Sequence, residues 1–340
     1  MTKFDIIGLG EACVDCFLLV ANNSDPTHRQ EILDWSIQGG GKVSTAIVTA
    51  SKLGAKTSIL TKIGDDEAGD FVISDFRKHN VNLGPIIRES GCRTEICFIL
   101  VDKQTGIPKW VPSDLLKTWS LPEAIEHMRT LVNGQSPQFA SEKFNATDIE
   151  YITQGEILHI DGFFPDCLSA VEIAKKNQII TSYDLDIPLF QYIPQPCLDT
   201  DGRSINVPRF SRFLANIDFL ISSKNAAIEL TNQFDSIAMC KKLLSYGPKA
   251  AAITLGHRGS ILMTNQKTLI KQKAFQVPIV DTTGAGDVFH GAFCFGLLNK
   301  WNFKENLRFS SAVSALKCMK MGGRAGIPTL NETYNLLKAN

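Results

Sequence analysis

The sequence predicts an α/β fold built on a mostly parallel, doubly wound sheet, and three observations lead there. Short apolar runs of strand character alternate with helical patterns along most of the 340 residues, as repeated βαβ units require. That length suits one large domain, or one domain with an appendage. With 44% hydrophobic and 21% charged residues, the chain can bury a full core.

The first strand is expected at residues 4–9, FDIIGL, running into Gly10-Glu11-Ala12-Cys13-Val14-Asp15. Gly8 and Gly10 after a strand invite a dinucleotide site, but Cys13 stands at the third glycine position and the motif is incomplete. Cys13 and Cys16 form a lone CxxC with no second pair, so they read as small buried residues rather than metal ligands. Asp15 is a carboxylate among apolar neighbours just past a strand end, where α/β sheets place ligand contacts.

Residues 22–38 read as a polar loop. Gly39-Gly40-Gly41-Lys42 fails as a P-loop, because Ser36 takes the leading glycine position and Val43 follows the lysine. A helix follows, with Val43, Ala46, Ile47, Ala50 and Leu53 on one face and Gly54 as its stop. A strand at 57–63 and a helix at about 67–79 come next. Residues 92–102, CRTEICFILVD, suit a hairpin strand. Four prolines mark 108–154, where Ser120 and Glu123 form an expected capping box for a helix to Val132. Alternation resumes with ILHID, a helix at 166–176, a strand ending at Asp184, and another at 219–222 before Ser223-Lys224-Asn225. A helix at 235–246 leads to a strand at 250–255. Two short antiparallel strands, 260–264 and 268–272, complete this half. A helix at about 304–320 precedes the turn at 322–328.

The central stretch is 279–298, IVDTTGAGDVFHGAFCFGLL. A strand ending near Val280 is expected to enter a Gly-rich turn that opens a helix. Helix starts leave N–H groups unpaired and carry partial positive charge, and small residues at 284–286 admit a phosphate to them. A carboxylate at 287 opposes an anion there unless it has work of its own, such as taking a proton from an attacking hydroxyl. The competing use of Asp287 is an ordinary N-terminal helix cap. His290 reads as packed or hydrogen-bonded rather than catalytic, and Phe289, Phe293 and Phe295 as core by helical spacing.

Charge and cysteine content bound the partners. Lys plus Arg and Asp plus Glu both number 35, which argues against nucleic acid or an anionic membrane as partner, so any phosphate site must be local. Nine cysteines without a signal-peptide pattern fit reduced thiols and a cytoplasmic location. No apolar run approaches membrane-spanning length.

These motifs resemble, in order, those of ribokinase-like carbohydrate kinases of the phosphofructokinase-B family, nearest in look to ketohexokinase and sulfofructose kinase types. The carrying residues are GEACVD at 10–15, GGKVSTAIVTASKLGA at 40–55, KIGDDEAG at 62–69, TLGHRGS at 254–260, DTTGAGDVFHGAF at 281–293 and GGRAGIP at 322–328. The resemblance implies one three-layer αβα kinase domain over 1–340. A small β-sheet lid would come mainly from about 13–38 and 92–110, with 104–154 as an insertion or lid elaboration. It implies transfer of the ATP γ-phosphoryl to a sugar hydroxyl with Mg²⁺, and the lid strands offer edges for a homodimer. Asp287 then matches the catalytic base, with Gly284, Ala285 and Gly286 as the anion hole. Asp15, Gly40, Gly41, Lys42 and Thr45 match sugar contacts. Ser223, Lys224, Thr254, Gly256 and Gly259 fall on the nucleotide side, with Ser222 in the same turn. Asp281 and Thr283 match positions that in some relatives hold a monovalent cation such as K⁺.

Two departures stand out. Thr45 replaces a frequent Asn in the sugar motif. Ser223-Lys224-Asn225-Ala226 replaces the family's Asn-x-x-Glu, so Mg²⁺ must be organised differently, with Glu229 one turn further on able to act only through water. Phosphorylation of a nucleoside on the same scaffold, and non-catalytic sensing of a sugar or nucleotide, are the alternatives.

Overall fold

The computed structural model describes residues 3–22, 29–117, 119–132, 144–164, 166–186 and 207–340. Its first strands are β1 (Phe4–Leu9), β2 (Cys13–Val20), β3 (Ile32–Gly40), β4 (Thr57–Gly64), β5 (Asn82–Glu89), β6 (Ile96–Asp102) and β7 (Pro108–Val111). Then come β8 (Gly155–Asp161), β9 (Ile180–Leu185), β10 (Phe219–Ser223), β11 (Ala250–Thr254), β12 (Ser260–Thr264) and β13 (Leu269–Gln272). The first helices are α1 (Lys42–Lys52), α2 (Glu67–Lys78), α3 (Glu123–Leu131), α4 (Ala146–Glu150), α5 (Cys167–Lys176) and α6 (Val207–Leu214). The rest are α7 (Lys224–Thr231), α8 (Ser236–Leu244), α9 (Ala285–Leu298), α10 (Phe303–Lys317) and α11 (Leu330–Ala339).

Nine strands form the large sheet, in the order β13-β12-β11-β10-β9-β8-β1-β4-β5. The pairs from β11 to β5 are all parallel, and β12 and β13 add an antiparallel edge. Its central strands are buried on both faces, which is why they read as continuous apolar runs. Ile6 and Ile157 pack on one side with Val43 and Ile47 of α1 and Val288 and Ala292 of α9. Their neighbours Ile7, Leu158 and Ile160 pack on the other, with Val171 of α5, Phe213 of α6 and Leu243 of α8. The period-two alternation of a strand therefore feeds two cores, and three layers result.

The second sheet has four strands in the order β3-β2-β6-β7. One face, with Val14, Cys16, Leu18, Phe98 and Leu100, joins the core that holds Val72 and Phe76 of α2. The other carries Phe17, Ile99 and Val101 against Met321. No helix among the described residues is long and apolar enough to cross a membrane.

Several local expectations change. Residues 32–38 are strand rather than loop, because β3 pairs along β2 from Cys13↔Gly40 to Val20↔Ile32; its polar, exposed middle hid the alternation. The parallel edge strand β5 was not expected, since Pro85 and Gly84 break its pattern, yet an edge tolerates proline. No strand leads into the central turn. Ile279 and Val280 are half-exposed, and Pro278 beside them has no N–H for a ladder. The capping box at Ser120 is absent, for the cap of α3 is Pro122 and has no side-chain bond. Within 104–154, β7 completes the small sheet, whereas Phe144, Ile149 and Ile152 enter the core beneath β8. Residue 118, residues 133–143 and, in the stretch 13–38, residues 23–28 lie outside the described residues.

Candidate active site

The order of strands reverses between β1 and β8, since β4 follows on one side and β9 on the other. Ligands of open α/β sheets bind outside the strand ends at such a point. Asp161, the last residue of β8, spans it. Its Oδ2 accepts from Val43 N at 2.8 Å, and its Oδ1 from Glu11 N at 3.3 Å. One carboxylate thereby ties the end of β1 to the first turn of α1, where orphan N–H groups and the helix dipole favour a negative charge. Burial, and then the charge of Glu11, push Asp161 up to about 7.

Gly284 is the N-cap of α9 in a left-handed conformation (φ 74°). A Cβ there would lie 3.0 Å from Gly323 Cα, so the turn at 281–287 rests directly on the turn at 322–323. A Cβ on Gly286 would instead meet nothing within 4 Å; open space, not the protein, adjoins this residue. Ala285 N donates to Thr282 O at 3.2 Å, and Val288 N to Gly284 O at 2.9 Å. Among the described residues no acceptor is found for the N–H groups of Gly284, Gly286 and Asp287. The open donors are therefore these three, and Ala285 N is turned away from the space that the sequence assigned to it.

Asp287 is the third residue of α9 and is half-buried. Burial first, then the charges of Asp186 and Asp15, raise it to about 7 against the opposing pull of Lys42 and Lys317. Lys42, second after Gly40 and the opening residue of α1, lies among Asp184, Asp186, Asp161 and Glu11. Burial alone would lower its proton affinity, but these four carboxylates raise it. Asp15 is raised to about 6, by burial chiefly, with Arg324 opposing. A Cβ on Gly40 would sit 2.4 Å from the Asp15 carboxyl, so the glycine pair lets this strand end press against the acid. Asp15, Lys42 and Asp287 are thus close enough at this edge for the charges of Asp15 and Lys42 to act on Asp287, with Gly40 against Asp15 and Gly284 and Gly286 opening the helix that carries Asp287.

Thr45 is set differently. It is 2% exposed, and its hydroxyl accepts from Arg324 Nε at 3.3 Å, so it is engaged within the protein. Arg324 itself is buried and was missed as a site residue. It donates to Gly40 O at 2.7 Å and pairs with Asp75, while its backbone N donates to Gln38 Oε1 at 3.0 Å. Asp161 and Asp184 were also passed over, although a carboxylate closing a buried parallel strand is a readable signal. Asp184 lies 3.2 Å from His290 Nε2, and burial raises it well above the usual carboxylate range. The same burial holds His290 well below the usual imidazole range, which fits its packed, neutral role.

The residues expected on the nucleotide side lie further along the same edge, where Ser223 pairs with Thr254 at the ends of β10 and β11. Ser223 caps α7 by accepting from Ala226 N at 3.3 Å, and Ser222 Oγ donates to Leu185 O at 2.8 Å. Lys224 opens α7 and is half-buried; Gly256 and Gly259 frame the turn between β11 and β12. Ala226 is buried and brings no oxygen to a metal, whereas Asp186 and Glu229 are exposed. Asp281 and Thr283 are occupied with each other and with Gly322. Asp281 Oδ1 accepts from Thr283 N (2.8 Å) and Oγ1 (2.7 Å), and Oδ2 from Gly322 N (2.7 Å).

Open amides at a helix start beside a carboxylate poised to accept a proton suit transfer of a phosphoryl group to an alcohol, and that is the class of protein this fold and site define. The pattern of the pfkB family carbohydrate kinases matches residues 3–127 and 124–330. The chain belongs to that family, and it is a phosphotransferase with an alcohol group as acceptor. It is 26% identical to the ribokinase of Staphylococcus aureus over 96% of this chain and 97% of that one. It is 24% identical to the 5-dehydro-2-deoxygluconokinase of Listeria innocua over 98% and 96%. Its fold matches a structure described as ribokinase II of Escherichia coli in complex with ATP and Mg²⁺, with a TM-score of 0.77, 18% identity and 99% of each chain covered.

Arg324→Met keeps the volume of the stem but leaves the largely buried Asp75 carboxylate with only His79 Nε2, at 3.7 Å, facing it. It should cost about 3–5 kcal/mol of stability, read by urea unfolding; a midpoint equal to the parent's would show that the guanidinium holds nothing together.

Proposed function

We propose that this chain transfers the γ-phosphoryl of ATP to a hydroxyl of a sugar bound between the two sheets. The observation that carries the proposal is the carboxylate of Asp287, lifted to about 7 beside the open amides of Gly284 and Gly286. Asp287 accepts the proton of the attacking hydroxyl; its raised affinity makes it a stronger base than an ordinary aspartate while leaving it ionised above neutrality. The amides of 284, 286 and 287 stabilise charge on the transferring group from a fixed position. Asp15, together with the backbone of Gly40 and Gly41, orients sugar hydroxyls. Lys42 sets a positive charge at the same edge. Ser223, Lys224, Thr254, Gly256 and Gly259 cradle the nucleotide, and the small sheet excludes water that would compete as acceptor.

The donor set at this edge fits Mg²⁺, which prefers oxygen ligands and retains several waters. Asp186, exposed and acting electrostatically on both Lys42 and Asp287, would hold it, with Glu229 reaching it through water. When bound, it neutralises charge on the phosphate oxygens. The Asp281 oxygens already have donors from within the chain, and the Thr283 hydroxyl is itself one of them, so the proposal needs only ATP and Mg²⁺. A second copy of the chain pairs along the small sheet, whose edge strands expose Trp35 (41%) and Trp110 (58%). A single monomeric species in sedimentation at micromolar concentration would remove that pairing.

The testing experiment is a coupled ATP-consumption screen over hexoses, ketoses, sugar acids, their phosphorylated and sulfonated forms, and nucleosides. Sugar-dependent turnover is expected; turnover with nucleosides alone would move the acceptor to that class, and no turnover with any alcohol would leave a sensing protein. With the substrate so identified, Asp287→Asn should lower kcat by about 10²- to 10⁴-fold with sugar binding retained. Because the ionised base is the active form, kcat/KM should rise with pH through about 7 in the parent. An unshifted kcat in the variant would take Asp287 out of the chemistry.

A further inference from the structure

Beneath the phosphoryl-binding turn lies a cation that the mechanism above does not use. Lys317, the last residue of α10, has no exposed surface, although lysine stems normally carry their ammonium out to water. Its Nζ donates to Asp281 O at 2.9 Å. The same end of α10 supports the turn at every step. Cys318 O accepts from Val280 N at 2.8 Å and from Asp281 N at 3.1 Å, and Ser314 Oγ donates to Ala285 O at 2.7 Å. Asp281 is equally buried, and its carboxylate holds Thr283 and Gly322.

A free monovalent cation at Asp281 and Thr283 would need oxygen atoms facing a common space. Here the Asp281 carbonyl already receives an ammonium, and both carboxylate oxygens receive N–H or O–H donors. With every Asp281 oxygen taken and the Thr283 hydroxyl turned to Asp281 as a donor, the side chains of this pair do not fit such an ion. An ammonium and a potassium ion carry the same charge, and a buried positive charge at a helix C-terminus is favoured by the carbonyls that end there.

We propose that Lys317 is the built-in cation of this turn. Its tethered ammonium holds the Asp281 carbonyl, and through it the 282–287 backbone, in the position where the open amides meet the transferring phosphoryl group. Lys317 is a positioning residue: it touches the turn, not the substrate. The inference rests on the phosphoryl-transfer function proposed above, and it predicts a kinase indifferent to which monovalent cation is in solution.

The test uses the full chain in K⁺, Na⁺ or choline buffers of equal ionic strength. The parent should turn over equally in all three. Lys317→Met, which keeps the volume without the charge, should lose about 10- to 100-fold in kcat with sugar KM nearly unchanged, the signature of a displaced amide. Lys317→Ala, which leaves a space lined by the Asp281 carbonyl, should regain turnover on addition of K⁺ or ethylammonium but not choline. Activation of the parent by K⁺ over choline, or full turnover of Lys317→Met in choline, would overturn the proposal. Thermal unfolding gives a readout independent of turnover. K⁺ or ethylammonium should raise the melting temperature of Lys317→Ala and leave the parent's unchanged, and a K⁺-dependent rise in the parent would again overturn it. If Lys317→Ala does not fold, the parent and Lys317→Met decide. A parent inactive on every alcohol, yet insensitive to K⁺ in melting, would sink the kinase function while sustaining the tethered cation.

Discussion

Like charges held close together at the ends of parallel strands are the constraint under which the rest of the molecule is arranged. Asp15, Asp161, Asp184 and Asp287 converge there, each raised above the usual carboxylate range chiefly by burial. Such a group is tolerable only if protonated, hydrogen-bonded or faced by a cation. The chain uses each of these means. Asp161 spends its oxygens on two backbone N–H groups, and Asp184 lies against a neutral His290. Lys42, Arg324 and Lys317 bring positive charge from three separate segments, and each reaches a different part of this edge.

Seen this way, the two glycine-rich turns are complementary. The turn at 39–41 brings the backbone close to an acid, Asp15. The turn at 284–286 leaves amides open for an anion. A hydroxyl donor and an anion are what a phosphoryl acceptor and a phosphoryl donor respectively present. The proximity of the two turns follows from the contact of α1 with α9: both start at the same edge of the sheet and pack on its same face.

Much of the frame was legible in the sequence because buried parallel strands and amphipathic helices leave strong periodic signals. FDIIGL, ILHID and the helix from Lys42 were placed correctly, and the Gly-rich turn at 281–287 was singled out. The strand β3 was not legible, since its outward residues Leu33, Asp34 and Trp35 alternate poorly and its pairing with β2 is a tertiary fact. Nor was the strand β5, interrupted by glycine and proline at an edge. Among the residues at this edge, those carried by local motifs could be proposed from the sequence, whereas Arg324 and Lys317 were not assigned. Their importance lies in partners such as Gly40 and Asp281, 284 and 36 residues away in the chain, and no local spacing records that.

Arg324 has one more implication, for the order in which the protein becomes competent during synthesis. The glycine turn beside Asp15 is made early, but its carbonyl at Gly40 and the side chain of Gln38 are tied to a residue close to the C-terminal helix. Domains fold as the ribosome delivers them, N-terminal portions first. Here the opening third of the chain emerges long before its fastening does, so a nascent polypeptide still attached at residue 320 carries the residues of β2 and β3 without their clasp.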